Sequence, residues 1–215
     1  MEGKIYNLII IDASGSMESI YRQALTGLNE TIQTIKKAQK EMPEMEQRIT
    51  VVSFNSGKDY LKEICVNMPA LEVKELTEKD YEPNGCTALY DAIGTMVTRM
   101  QEVKTHNDQA LVTIITDGYE NSSHRWNAAT VKALVTELRQ MGWTFTYIGA
   151  NQDAVEEAEK IGVCNSLNFS ASEEGTREMF AKESSCRRKF YKQKLMACMR
   201  EGDTASIECR DFFED

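Results

Sequence analysis

The sequence predicts an α/β domain of the doubly wound class, with helices on both faces of a mostly parallel central sheet. Four short apolar runs are rich in β-branched residues, as expected of strands buried on both faces; they span 6–11, 49–54, 110–116 and 145–149. Between these runs, apolar residues recur at steps of three and four, the spacing of helices that bury one face. Strands that alternate with such helices indicate a doubly wound sheet.

Each of the three longer predicted helices carries an apolar stripe. The stripes consist of Tyr21, Leu25, Leu28, Ile32 and Ile35; then Leu89, Ala92, Ile93, Met96, Met100 and Val103; then Val131, Leu134, Val135, Leu138 and Met141. Residues 59–66 predict an antiparallel edge strand after a turn at 55–57. A further helix is predicted over 152–160, with Gly162 as its C-terminal signal, then a last strand over 163–169 and a helix that begins at Ser172.

Composition favours one globular domain. The chain has 215 residues, of which 41% are hydrophobic and 27% charged, as in ordinary globular proteins. We expect residues 1–180 to form the main domain, and 181–215 to form a helical extension and tail that pack on it or continue it. The six cysteines lack a C-x-x-C pair and only two histidines occur, so we expect thiols and no zinc site.

The net charge and the N-terminal residues indicate which binding partners and which cellular location to expect. A net charge of −9 argues against general nucleic-acid binding, which needs a basic face, and against anionic membrane surfaces. No signal peptide or membrane span is predicted at the N-terminus, so a cytoplasmic protein is expected. Oligomeric state is not readable from the sequence.

One basic segment stands out in this acidic chain, over residues 182–200. Its cations are Arg187, Arg188, Lys189, Lys192, Lys194 and Arg200. A solvated helix face is the simpler interpretation; a surface for docking a partner or nucleic acid is the alternative. Phe212 and Phe213, near the acidic end, either dock back or stay mobile.

The most informative segment is Asp12-Ala13-Ser14-Gly15-Ser16, directly after the first apolar run. The carboxylate of Asp12 and the hydroxyls of Ser14 and Ser16, at alternate positions, can direct three hard oxygen ligands toward the same point. Such ligands suit Mg²⁺, or Mn²⁺ as an alternative, and do not suit a soft metal. Loops at the carboxyl ends of strands are also where ligands bind in open α/β sheets.

These five residues match the D-x-S-x-S core of the metal-ion-dependent adhesion site of von Willebrand factor A domains. Two later segments, 85–93 with Thr87 and 111–118 with Asp117, resemble that family's second and third loops in the right order. Over residues 4–180 the chain resembles small stand-alone bacterial and phage members. The resemblance implies a Rossmann-like fold with metal ligands at Asp12, Ser14, Ser16, Thr87 and Asp117.

The resemblance also implies a function, namely metal-dependent protein binding. By the resemblance, Ser14, Ser16 and Thr87 give neutral hydroxyl ligands, while Asp12 and Asp117 act directly or through water. If the aspartates act partly through water, the ion stays electrophilic, and an Asp or Glu of a partner protein can complete its shell. Asp91, Glu120 and Asn121 are candidates for outer or rim positions. Loop hydrogen bonding or capping is the alternative for Asp91, and an ordinary polar loop position is the alternative for Glu120 and Asn121. Four aromatic side chains are candidates for partner contacts or for packing: Tyr90, Tyr119, His124 and Trp126.

Other functions remain as alternatives. A metal-dependent hydrolase of phosphoesters would need a general base, and only Asp91, Glu120 or His124 are candidates. A scaffold that works through residues 181–215, or a family member that has lost metal binding, are further possibilities. The motifs of dinucleotide-binding, P-loop and G-x-S-x-G proteins do not occur.

Overall fold

The computed structural model describes residues 3–105, 108–150, 153–201 and 211–214, without the side chains of 198–201. Six strands form one sheet, and five α-helices connect or follow them. In chain order the elements are β1 (Gly3–Asp12), α1 (Tyr21–Glu41), β2 (Met45–Phe54), β3 (Leu61–Pro69), α2 (Leu89–Val103), β4 (Gln109–Thr116), α3 (Ala128–Gln140), β5 (Thr144–Ala150), α4 (Ala154–Lys160), β6 (Asn165–Phe169) and α5 (Glu173–Glu201). Short 3₁₀ helices cover Gly15–Ile20 and Ala70–Glu72.

The strand order in the sheet is β3-β2-β1-β4-β5-β6. All neighbours are parallel except β2 and β3, which pair antiparallel. Successive strands run outward from β1 in one direction and from β4 in the other, so the strand order reverses between these two central strands. A crevice opens at such a point, at the carboxyl ends of the strands. The predicted fold class, including the antiparallel edge strand, is therefore confirmed.

The sheet separates two apolar cores. On one face, α1 and α5 cover the sheet with a core that includes Leu28, Ile32 and Phe180. On the other face, α2, α3 and α4 pack over a core that includes Ile93, Val135 and Phe145. Because both faces are covered, the central strands have few polar positions, which is why they are visible in the sequence as apolar runs.

The smaller predicted elements lie close to their expected positions. Helix α4 begins at Ala154, capped by Asp153, and ends before Gly162, whose φ is +77°. The helix predicted over 152–160 therefore starts two residues later than expected, and residue 152 itself lies outside the described residues. Strand β6 begins at Asn165, and Ser172 precedes α5, where its hydroxyl accepts the N–H of Gly175 at 3.1 Å.

The segment predicted as a basic surface needs a correction. Arg187 is fully buried, and its partner Glu183 is fully buried too. The distribution of charges in the sequence could not show that Arg187 is buried, because its burial depends on which side of α5 faces the sheet. Arg188, Lys189 and Lys192 are exposed, whereas Lys194 is buried and its ammonium lies over the ring of Phe190.

The end of the chain returns to the domain. Phe212 is buried and packs against Phe190, with 6.0 Å between the ring centroids. Its N–H donates to Asn165 at 3.1 Å, so the docked alternative is the one found. The cysteines that the structure describes, at 65, 86, 164 and 186, are thiols. No helix among the described residues is both long and apolar enough to span a membrane.

Candidate metal centre

The first loop of the candidate centre leaves β1 at Asp12, whose side chain is fully buried. Its Oδ1 accepts the N–H of Ser14 at 2.7 Å, so the loop curls over the carboxylate. The hydroxyls of Ser14 and Ser16 lie 3.0 Å apart. Ser14 is buried and Ser16 is exposed. The alternate spacing therefore places the three side chains in a row that rises from the sheet to the surface.

The third loop leaves β4 beside it. Ile11 and Ile115 are register partners, so the carboxyl ends of the two strands meet at one edge. Ser16 Oγ donates to Asp117 Oδ1 at 2.6 Å, and Thr116 Oγ1 donates to Asp12 Oδ2 at 2.6 Å. Two hydrogen bonds thus join loops that are more than a hundred residues apart in the sequence.

The second loop brings Thr87, which is buried. Its backbone and Asn121 bind reciprocally: Asn121 Oδ1 accepts the N–H of Thr87 at 2.9 Å, and the Thr87 carbonyl accepts the N–H of Asn121 at 3.1 Å. Asn121 therefore fixes the second loop to the third. Asn121 is a predicted candidate for an outer or rim position, and its contact with the Thr87 backbone could not be foreseen from its residue type.

Gly118 shows that the three loops converge. A Cβ placed on this glycine would lie 3.2 Å from Thr87 Oγ1, 3.7 Å from Ser16 Oγ and 3.9 Å from Asp12 Oδ2. One oxygen from each of three side chains therefore lies within 4 Å of a single point, which a larger residue at 118 would occupy. Together with the hydrogen bonds above, this geometry brings together all five predicted ligands, Asp12, Ser14, Ser16, Thr87 and Asp117.

The two carboxylates of the centre are electrostatically costly. Burial raises the pKa of Asp12 to about 6; the hydrogen bonds from Thr116 and Ser14 oppose the shift, and the charge of Asp117 adds to it. Burial also raises the pKa of Asp117, against the hydrogen bond from Ser16. Desolvated anions of this kind are stabilised by a nearby cation.

The chemistry of the donor set fits a hard cation. Two carboxylates and three hydroxyls are oxygen ligands only, as Mg²⁺ or Mn²⁺ prefers. No three His, Cys, Asp or Glu side chains group around a possible metal position anywhere in 3–105, 108–150, 153–201 or 211–214. A centre in this part of the chain would therefore depend on the hydroxyls of Ser14, Ser16 and Thr87.

Several supporting contacts were not predicted. The Tyr81 hydroxyl donates to the Asp12 carbonyl at 2.5 Å, and the N–H of Gly15 donates to the Gly85 carbonyl at 3.0 Å. These bonds hold the second loop against the first. An isolated tyrosine gives no sequence signal for such a role. Thr116 does give one, because it stands directly before Asp117 at the end of a strand.

The carboxylates of Asp91 and Glu120 accept hydrogen bonds from backbone N–H groups nearby, rather than facing the oxygens of the five predicted ligands. The Asp91 carboxylate accepts the N–H groups of His124, Arg125 and Trp126 at 2.7–3.0 Å. Glu120 accepts the N–H of Tyr90, at the start of α2, at 2.9 Å. The same Glu120 carboxylate also accepts the backbone N–H groups of 122 and 123. Both carboxylates therefore order the third loop.

The aromatic residues near the centre divide into two groups. Tyr119 is 56% exposed and follows Gly118 directly. Tyr90 and Trp126 are half-buried and pack on the core beneath α2 and α3, and the indole of Trp126 lies against Gly94. His124 is exposed as well. Tyr119 and His124 are thus the candidates for contact with a partner, whereas Tyr90 and Trp126 are packing residues.

Comparison with known proteins matches most of this chain to one family. The model of the von Willebrand factor type A domain matches residues 8–185. No curated protein matches.

Three solved structures illustrate the similarity. A von Willebrand factor type A protein from Catenulispora acidiphila is 16% identical with a TM-score of 0.57, over 85% of this chain and 42% of that one. The open conformation of the pilus adhesin SpaC from Lactobacillus rhamnosus GG is 11% identical with a TM-score of 0.66, over 89% and 30%. The manganese-loaded TRAP protein of Plasmodium vivax is 15% identical with a TM-score of 0.55, over 84% and 72%. The chain thus spans less than half the length of the first two.

Proposed function

Because the chain belongs to the von Willebrand factor type A domain family, we propose that it is a metal-dependent protein-binding module. Asp12, Ser14, Ser16, Thr87 and Asp117 would hold Mg²⁺, with Mn²⁺ as the alternative. A carboxylate from an Asp or Glu of a partner protein would complete the ligand set. The convergence of five oxygen side chains from three loops on one space carries this proposal.

The division of charge in the centre suits this role. A bound divalent ion supplies an electrophilic position that a partner carboxylate can fill. Ser14, Ser16 and Thr87 are neutral and do not offset the charge of the ion, and Asp12 and Asp117 would leave it electrophilic by acting partly through water. Asp12 has one carboxylate oxygen bonded to Ser14 and the other to Thr116, which holds its orientation.

The centre is also open on one side. Asp12, Ser14 and Thr87 form a buried floor, while Ser16 and Asn121 are exposed at the rim. A partner therefore has access from the carboxyl edge of the sheet. Two proteins of the same fold support the proposal: SpaC is described as a pilus adhesin, and the TRAP protein was solved with manganese.

Calorimetric titration and peptide capture together test the proposal. Mg²⁺ is titrated into protein freed of metal with EDTA, and we expect binding in the wild type that Thr87→Ala abolishes. Thr136→Ala, at an exposed position of α3, is the matched loss of a threonine hydroxyl. Immobilised peptides with one Asp or Glu should then capture the protein in Mg²⁺ and not in EDTA, and their Asn or Gln counterparts should not.

Two results would overturn the proposal. One is capture that EDTA and Thr87→Ala leave unchanged. The other is metal-dependent turnover of p-nitrophenyl phosphate that Thr87→Ala abolishes, because it would favour the hydrolase alternative. Of the three candidate general bases, Asp91 and Glu120 already use their carboxylates to accept backbone N–H groups, so the exposed His124 would be the remaining candidate.

A further inference from the structure

A small pocket lies beside the candidate metal centre. It has a volume of about 170 Å³, below the ~300–1,000 Å³ of drug-sized ligand sites, so it suits one side chain of a partner. The pocket includes Ala13, between Asp12 and Ser14, and Asn84 from the second loop. The N–H of Asn84 donates to the Ala13 carbonyl at 2.8 Å, so the pocket lies where the first and second loops of the centre meet.

One nearly buried hydroxyl lines the pocket without a hydrogen-bond partner among the described residues. Ser53, near the end of β2, lines the pocket and is 3% exposed. No hydrogen bond joins its side chain to any residue in the described ranges. Buried polar side chains are normally hydrogen-bonded. A nearly buried hydroxyl that faces a pocket is therefore available to a polar group that enters it.

The wall carries two carboxylates without partners. Asp59 and Glu82 both line the pocket and are exposed. Within the described parts of the chain, neither side chain makes a hydrogen bond or an ion pair. Lys62 lines the same pocket, and its ammonium donates to the Lys79 carbonyl at 2.5 Å, so a single lysine cation in the lining stands against two carboxylates. The pocket is thus left with excess negative charge.

The remaining surface suits an aliphatic stem. Ala13, Phe54 and Tyr60 contribute carbon atoms to the lining. The side chains of Lys and Arg place a cation at the end of a methylene stem, which packs along apolar surface. A cation near a carboxylate forms charge-assisted hydrogen bonds, which are stronger than neutral ones.

We propose that this pocket receives a Lys or Arg side chain next to the partner's acidic residue. The inference rests on the proposed function, since the acidic residue is the one at the metal centre. It adds a sequence requirement: the partner presents an acidic and a basic residue side by side. Asp59 and Glu82 would select the basic residue, and the Ser53 hydroxyl would accept a hydrogen bond from it.

Short capped peptides test this requirement with the full chain. Ac-Gly-Lys-Asp-Gly-NH₂ and its reversed order, Ac-Gly-Asp-Lys-Gly-NH₂, are compared with versions in which Ala or Glu replaces Lys. Dissociation constants are measured by NMR titration in saturating Mg²⁺ and again in EDTA. At least one Lys peptide should bind about five- to tenfold more tightly than its Ala version, in Mg²⁺ only. The Glu version should bind more weakly than the Ala version.

Variants of the pocket test whether Asp59 and Glu82 cause the preference for the Lys peptide. Asp59→Asn with Glu82→Gln should remove the preference for Lys while the Ala peptide keeps its Mg²⁺-dependent affinity. Glu72→Gln with Glu137→Gln, two exposed carboxylates outside the pocket, is the matched control and should keep the preference. Asp59→Lys with Glu82→Lys should transfer the preference to the Glu peptide.

The outcomes separate the two proposals. Equal, Mg²⁺-dependent binding of the Lys and Ala peptides overturns the pocket inference and leaves the proposed function standing. A Lys preference that survives in the Asp59→Asn, Glu82→Gln variant also overturns it, since the selectivity then lies elsewhere. Absence of Mg²⁺-dependent binding for every acidic peptide overturns both.

Discussion

Thr116 donates its hydroxyl to Asp12 Oδ2 at 2.6 Å, and both side chains are fully buried. The two residues end neighbouring central strands, β4 and β1. The other Asp12 oxygen accepts the N–H of Ser14. The carboxylate at the base of the centre is therefore held at both oxygens by its own protein, and its direction is set by the sheet.

Removal of the Thr116 hydroxyl should destabilise the protein. Thr116→Val keeps the shape of the side chain but leaves a buried carboxylate oxygen without its donor. Because hydrogen bonds to charged groups contribute about 1.5–3 kcal/mol, we expect a loss of that size in the free energy of unfolding at pH 7, measured with urea in EDTA. Thr116→Ser, which keeps the donor, should retain most of the stability. Equal losses in the two variants would contradict the argument.

Asp12→Asn should have opposite effects without and with metal. The pKa of Asp12 is raised to about 6 in the folded protein, so the protonated form is favoured by folding. Its contribution to stability is fully present below the unfolded pKa near ~4 and is lost as pH rises through about 6. At pH 7 the metal-free variant should therefore be more stable than the wild type, by about 3 kcal/mol, since one pKa unit corresponds to about 1.4 kcal/mol.

Thermal unfolding of both proteins from pH 4 to pH 7.5 measures this difference. In EDTA the advantage of Asp12→Asn should be small near pH 4 and grow between pH 4 and pH 6. Taking the difference cancels the titrating groups that do not interact with Asp12. At a Mg²⁺ concentration of 100 times its Kd, the wild type should gain about 2.7 kcal/mol and the variant nothing. A variant less stable than the wild type at pH 7 in EDTA would refute the assignment of a costly carboxylate.

Much of this arrangement was predictable from the sequence, and the reasons are specific. Asp12 and Asp117 follow apolar runs that had to be parallel central strands, and such strands share one carboxyl edge. Ser14 and Ser16 follow from their alternate spacing, and Thr87 from the resemblance of its loop. Whether these residues bind a metal stays a prediction, which the titration above tests.

The residues that support the centre and the core were not predictable from the sequence, and the reason is again physical. Asn121 and Asp91 act by accepting backbone N–H groups, and any polar residue in a loop is capable of that. Arg187 belongs to a run of cations that looks solvated, and only the rotation of α5 on the sheet buries it. Contacts of this kind depend on tertiary packing, which leaves no periodic pattern in the sequence.

The buried ion pair on α5 should show strong non-additivity. Arg187 bonds Glu183, Asn7 and Thr113, so Arg187→Met leaves an uncompensated carboxylate and should cost about 3–5 kcal/mol in the free energy of unfolding. Urea unfolding of Arg187→Met, Glu183→Gln and the double variant measures these losses.

The double variant should lose clearly less free energy of unfolding than the sum of the losses in the two single variants. Arg188→Met, at the exposed next position, should change stability by less than about 0.5 kcal/mol. Additive single effects would rule out the pair as a coupled unit.

The contact between α1 and α5 should not tolerate a methyl group at Gly27. A Cβ there would overlap the ring of Phe180. Gly→Ala in an unhindered helix gains about 0.5–1 kcal/mol, but overpacking costs about 1–3 kcal/mol, so a net loss is expected. Circular dichroism melts of Gly27→Ala, Phe180→Leu and the combined variant check this. The Gly27→Ala substitution should cost less in the Phe180→Leu background than in the wild type, and a stabilised Gly27→Ala would disprove the close contact.

The position of the centre in the strand order has a consequence for local opening. The first and third loops extend from β1 and β4, the two innermost strands of the sheet. Edge strands β3 and β6 can separate from the sheet at low free-energy cost, whereas central strands open only with the whole domain. Amide protons of β1 and β4 should therefore be the slowest to exchange with solvent. The positions of Asp12, Ser14, Ser16 and Asp117 should persist when the edge strands open locally.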